Sequence, residues 1–341
     1  MSRRLRWAAA WLVATALLVA CFRSVGWDGV VPVLARMHPA WLAAAVAANA
    51  AILFLWAWQW TRFLPHDRSV PYPRMLRVTT VMAMIANSVP FLAGQAAGLH
   101  LLATRGRVGH AAAVSVTALD QLAEGVAKVA VLLLLAAVAP LPGRLKTALV
   151  ALSTGVALLA AAVAVLSRSG TTPRALARGR LAPVGRFVGE VRRALASVRR
   201  PRILVGGVVL ALAMKAAELA GILAVAAAFG AGVGPAEALL VLVAVNLATM
   251  VSVAPANLGV YEGSAFLAWR AVGAAPELAL GLAVVQHLAY LLPMAGGGWL
   301  TVTLWRGRRV GLAADDSGEG TRTAAPDGHP VPKRTAGEAA D

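Results

Sequence analysis

Residues 252–264 read SVAPANLGVYEGS, and this stretch interrupts a run that is otherwise Ala, Val and Leu. Pro255 removes a backbone donor, Gly259 tolerates a sharp reversal, and Asn257 and Glu262 are polar where the flanks are apolar. The chain around it has 341 residues, 59% hydrophobic and 14% charged, with a mean hydropathy of +0.72. Its apolar blocks are too long for the core elements of a soluble domain, which predicts an all-α polytopic membrane protein. The alternation of a barrel strand is missing.

Blocks at 7–22, 40–61, 111–139, 146–167, 203–229 and 278–305 have about the length that spans a bilayer. Two further apolar regions, 75–104 and 235–274, are broken by Pro and Gly, so hydropathy counts seven or eight segments. The first block follows MSRRLRW and ends in LVAC at Cys21, the shape of a lipoprotein signal. Several more apolar blocks follow it, which favours an uncleaved first helix. A single Cys excludes an internal disulfide.

A formal charge of +17 raises nucleic acid as a partner, but the distribution excludes it. Segment 168–202 holds ten Arg and one Glu. Within it Val184, Phe187, Val191, Leu195 and Val198 recur at helical spacing between arginines, as in an amphipathic helix on an anionic membrane surface. A solvated basic connection reads the residues equally well. With the N-terminus in the cytoplasm, the basic connections fall inside only if 75–104 dips in and returns. Its arms, 78–89 and 93–103, are too short to span. The fold expected is thus about six spanning helices plus two re-entrant helical hairpins, with both termini of a multi-pass cytoplasmic-membrane protein inside.

The interrupted regions look alike. The first has Asn87, Ser88, Val89, Pro90, Gly94 and Gln95; the second has Ser252, Val253, Pro255, Gly259 and Glu262. Both place Pro and Gly four apart, and a polar cluster follows about 30 residues later, Asp120 with Glu124 in one half and Gln286 with His287 in the other. One hairpin enters from each side, which predicts an inverted repeat with its site at the repeat interface. The returning arms begin with free backbone N–H groups at the hairpin tips, an arrangement suited to an anionic headgroup.

Asp120, Glu124 and Lys128 are four apart and share one helix face; Lys215 and Glu218 are three apart in another helix. Charges at this depth mark a pathway or site, or they pair to hold helices together. For Asn49, Gln59 and His287 alone, interhelical hydrogen bonding is the reading. Pro90, Gly94, Gln95, Asp120, Glu124, Pro255, Asn257, Gly259, Tyr261, Glu262 and His287 form the candidate substrate-binding set. No catalytic residue or metal ligand is expected.

The Pro-Gly break followed by Leu258-Gly259 and Glu262, with the Pro90-to-Gly94 break earlier, resembles the lysylphosphatidylglycerol synthase transmembrane region, the flippase-like family. The resemblance covers about residues 5–308 and implies an integral membrane domain, here 1–309, that handles or moves lipids. A polar tail, 310–341, reads as disordered. The resemblance also implies an Arg before the second acid and Gly-Glu-x-x-Arg at the first break; this chain has Tyr261, Gln95 and Gly98 there. A lipid translocase without a nucleotide site or other cofactor is the first functional expectation, since no phosphate-binding loop appears. An accessory subunit docking a membrane glycosyltransferase or envelope enzyme through 168–202 is the alternative. A lipid-modifying enzyme using Asp120, Glu124 and His287 ranks last, so the chain is read as a non-enzyme.

Overall fold

A computed structural model describes residues 27–65, 69–88, 91–139, 143–168, 182–197, 201–250 and 254–304. The first apolar block with Cys21, Pro90, the side chain of Gln95, residues 252–253, and the tail 310–341 lie outside the described residues. Met1–Thr301 makes one compact unit, and Val302–Asp341 is assigned to a second, of which only the first three residues are described.

Among the described residues the structure is helical, without strands. Its helices are α1 (Trp27–Ala35), α2 (Pro39–Phe63), α3 (Tyr72–Ser88), α4 (Phe91–Arg105), α5 (His110–Val138), α6 (Gly143–Arg168), α7 (Ala182–Ser197), α8 (Pro201–Ala228), α9 (Pro235–Met250), α10 (Val260–Ala271) and α11 (Pro276–Leu291). α11 runs on through a π turn at Leu292–Gly296 to Leu304. Proline at 293 has no N–H to give the ladder, and the wider turn accommodates the loss. Among the described residues five helices are long and apolar enough to cross a membrane: α2, α5, the Leu145–Ser167 part of α6, α8, and Pro276–Leu304. The protein is an all-α polytopic membrane protein.

The two interrupted regions fold as helical pairs. α3 and α4 lie against each other so tightly that a Cβ on Gly98 would sit 2.7 Å from the Met82 Cγ. α9 packs likewise on α10. Their lengths are 17 and 15 residues in the first pair, 16 and 12 in the second. At 1.5 Å per residue none reaches the roughly 30 Å of a hydrocarbon core. The arms of the first pair are nonetheless longer than 78–89 and 93–103. α3 starts six residues early because Pro71 and Pro73 sit at its beginning, where a missing N–H costs nothing, and the Arg74 and Met75 amides bond the Pro71 carbonyl at 2.9 and 3.1 Å.

Between the two pairs the chain makes three long passes, α5, α6 and α8, so the hairpins open at opposite ends of the bundle. The end where α4 finishes and α8 begins also carries Arg62, Arg74, Arg77, Arg107 and all of α7. This is the basic end.

α2 and α8 form the central pair. Close approach is possible because glycines face bulky partners: Gly207 lies under the Phe63 ring, and a Cβ on Gly221 would meet the Asn49 amide at 2.7 Å. Gln59 Nε2 donates to the Gly207 carbonyl at 2.8 Å, and the His38 amide donates to the Ala228 carbonyl at 2.9 Å, tying both ends of the pair. Small residues with interhelical hydrogen bonds are how helices associate where lipid competes with apolar side chains.

The arginine-rich connection does contain an amphipathic helix, α7, and three of its apolar residues meet protein. Val191, Ala194 and Leu195 are buried beside α5, where Ser115 Oγ donates to the Val191 carbonyl at 3.4 Å. Arg186, Phe187 and Arg193 are exposed. The neighbouring 169–181 and 198–200 lie outside the described residues. Of the long helices α6 buries least, 6% of its apolar window, and presents Val150, Leu158 and Val165 outward.

The α2–α8 contact leaves no room at Gly207. A Gly207→Val substitution is expected to cost roughly 1–3 kcal/mol, seen as a lower Tm of the detergent-purified protein; an unchanged Tm contradicts this packing.

Candidate functional site

The second break is a 3-10 turn, Pro255–Asn257, closed by the Asn257 amide on the Ala254 carbonyl and the Leu258 amide on the Pro255 carbonyl, each 3.1 Å. Ala256 and Asn257 have φ of 52° and 55°, and Gly259 follows at 77°. Glycine takes that region freely and asparagine tolerates it; for Ala256 it costs roughly 1–2 kcal/mol. Strain held in this way points to a functional segment. The turn packs against α3, the entering arm of the other hairpin, so the two interrupted regions meet in space. The position of Pro90 at the first tip is outside the described residues; Gly94 is buried in α4.

Glu262 is spent inside its own hairpin. Its Oε2 accepts the Gly259 amide at 2.7 Å and its Oε1 lies 2.8 Å from His287 Nδ1 on α11. Glutamate in the first turn thus closes the N-terminus of α10. At this helix end the carboxylate of Glu262 itself provides the negative charge that the dipole favours. Both Glu262 and His287 are buried, at 6% and 1% exposure, and neither is among the residues that line the cavity described below.

Tyr261 fills the place where a basic residue was expected. Its ring stacks on His287 with centroids 4.1 Å apart and planes 6° off parallel, and lies 6.1 Å from the Tyr290 ring. Its hydroxyl accepts from Gln286 Nε2 at 3.1 Å, while Gln286 Oε1 accepts from Trp269 Nε1 at 3.3 Å.

On the other side lies a charged network. Lys215 Nζ on α8 is 2.7 Å from Glu124 Oε1 of α5 and 2.7 Å from Glu218 Oε1, and donates to Asn246 Oδ1 of α9 at 3.0 Å. Asn246 Nδ2 returns a bond to Glu218 Oε2 at 2.9 Å. Lys128 adds a second cation, 3.3 Å from Glu124. Two carboxylates and two ammoniums balance, which is what allows four charges so far from water. Asp120, one turn before Glu124 on α5, accepts from Trp56 Nε1 on α2 at 3.1 Å.

Between the tyrosines and this network is a cavity of about 80 Å³. Its walls are Asn49 of α2, Glu218 and Ile222 of α8, Leu242, Val245, Asn246 and Thr249 of α9, Asn257 and Tyr261 of the second hairpin, and Gln286 and Tyr290 of α11. Asn49 lies ten residues from the start of α2, Glu218 ten from the end of α8, and Asn246 eleven from the start of α9. At 1.5 Å per residue the cavity is about 15 Å from the end opposite the basic one, close to mid-bilayer. A larger cleft of about 380 Å³ lies at the basic end between Val108–Ala112 and α7; it is outside the apolar layer and its Arg193 is offset by Glu190.

Of the residues singled out in the sequence, Asn257 and Tyr261 line the cavity, Pro255 and Gly259 shape its tip, and Glu124 reaches it through Lys215. Asn49, Asn246, Glu218 and Tyr290 complete it. Asn246 had a signal, a lone amide in the apolar run of α9; Tyr290 had a weaker one, four residues after Gln286 on the same face.

Removing one partner of a buried ion network leaves uncompensated charge. Lys215→Met is expected to destabilise the folded protein by about 3–5 kcal/mol, and Lys215→Met with Glu218→Met by clearly less. Equal losses in denaturation of the two purified variants contradict the network.

Against curated proteins the chain has no match. Residues 7–298 match the family described as Lysylphosphatidylglycerol synthase TM region. That span includes every helix named above except the last residues of α11, and the chain belongs to this family of membrane proteins.

Proposed function

We propose that the protein is a non-enzymatic lipid carrier of the cytoplasmic membrane that binds a lipid headgroup in the mid-bilayer cavity and moves it between leaflets. The observation that carries this reading is the cavity itself. Polar side chains from five separate helical segments converge at membrane depth on a strained, non-helical turn. Irregular backbone at that depth is tolerated only where protein or a polar cavity surrounds it. Family membership supports lipid handling, and the meeting of two broken hairpins from opposite ends resembles the construction of alternating-access carriers. Arginines at one end support a cytoplasmic orientation for that end. The anionic headgroup expected from the helix ends is not the preferred ligand, since the two lysines are engaged by carboxylates and Glu262 closes the helix terminus.

A second reading, an accessory subunit for a membrane enzyme, has one supporting observation: the exposed Arg186, Phe187 and Arg193 of α7. Charge reversal at Arg186 and Arg193 is then expected to abolish co-purification of an envelope enzyme while leaving lipid movement intact.

Fluorescent lipids in proteoliposomes test the carrier reading. The purified protein is expected to accelerate exchange between leaflets, and Asn257→Gly, which keeps the positive φ but deletes the amide, to slow it about tenfold, the effect of about 1.4 kcal/mol. Folded protein that moves no lipid class overturns the carrier reading.

A further inference from the structure

The cavity lining selects among headgroups by its hydrogen-bonding character. A phosphate or carboxylate only accepts, and an ammonium only donates; a sugar hydroxyl does both. Among the described residues that line the cavity there is no Lys or Arg. Its only charged wall, Glu218, has its charge matched by Lys215 at 2.7 Å. Asn246 and Gln286 are committed on both their oxygen and nitrogen, to Lys215, Glu218, Tyr261 and Trp269. What remains is mixed. Asn49 has its amide nitrogen on the Ala45 carbonyl at 2.9 Å and an oxygen left to accept, Asn257 carries both kinds of group at the tip, and the Tyr261 hydroxyl, already accepting from Gln286, has its proton to give.

Shape points the same way. The Tyr261 and Tyr290 rings stand 24° from parallel, and Ile222, Leu242 and Val245 form the apolar part of the wall. Aromatic and aliphatic walls with a few convergent polar groups are how proteins bind small neutral molecules. A volume of about 80 Å³ admits a few hydroxyl groups along one edge of a sugar ring, a single water needing about 10–15 Å³.

Resting on the carrier reading above, we infer that the cavity takes an uncharged, polyhydroxylated headgroup, the sugar of a glycolipid. The sugar hydroxyls take Asn257 and Asn49 as mixed donor and acceptor partners, and the C–H face of the ring lies on the tyrosines.

The full-length protein in detergent, titrated with monoglucosyl diacylglycerol, phosphatidylglycerol, phosphatidylethanolamine and plain diacylglycerol of identical acyl chains, tests this by native mass spectrometry. The glucosyl lipid is expected to bind about tenfold more tightly than each of the others, a difference of about 1.4 kcal/mol. Asn257→Gly and Tyr261→Phe, which deletes the donating hydroxyl and keeps the ring, are expected to bring it to the diacylglycerol level. Tightest binding of phosphatidylglycerol or of phosphatidylethanolamine, lost in Asn257→Gly, overturns the sugar and keeps the lipid site. Equal binding of all four, unaffected by Asn257→Gly, overturns both.

Discussion

Lys215 is the point on which the rest of the structure depends. A lone ammonium inside the apolar layer is too costly to keep, so wherever α8 places it, partners must be brought. They come from three helices: Glu124 of α5, Glu218 of α8 itself, and Asn246 of α9. These contacts fasten the first half of the chain to the second hairpin. Glu218 and Asn246 are at the same time cavity walls, so the network that secures the helices also sets the polarity of the site. Neutrality follows from its composition, two acids and two bases, and with it a preference for a ligand that brings no charge of its own.

The second hairpin shows how a broken segment becomes stable at that depth. Its turn leaves backbone groups unsatisfied by helix, and three amides find partners: those of Asn257 and Leu258 in the turn, that of Gly259 on Glu262. Glu262 is then held by His287, and His287 by the face of Tyr261. The chain of contacts ends on α11, whose π turn at Leu292–Gly296 lies just beyond Tyr290. Tyr261 is therefore not a gap left by a missing arginine. It replaces a cation with a flat, weakly polar surface.

Much of the fold was legible in the sequence because hydrophobic length and helix breakers are local properties. The long passes and both interrupted regions could be placed from the apolar blocks and from Pro255 and Gly259. The early start of α3 was not, since it depends on prolines tolerated only in a first turn. The site was legible in part. Asn257, Tyr261 and Glu262 stand out as polar residues beside a break, yet their division of labour depends on three dimensions: Glu262 turns back to its own helix end, whereas Tyr261 turns to the cavity. The apparent symmetry between Asp120 and Gln286–His287 also hid a difference, for Asp120 bonds Trp56 on α2 while Gln286 and His287 grip the hairpin. In α7, periodicity correctly marked an apolar face but not that α5 covers it.

The central claim is that two hairpins enter the bundle from opposite ends and that the second of them, whose turn packs on the first, lines the cavity. Its most direct measurement is labelling of single cysteines at Arg105 and at Ala275 by an impermeant maleimide, in a Cys21→Ser background, on sealed vesicles of known orientation. Both positions are exposed at the mouth of a hairpin. The account predicts that the two are reached from opposite faces of the membrane, Arg105 from the cytoplasmic one. Labelling of both from the same face contradicts it.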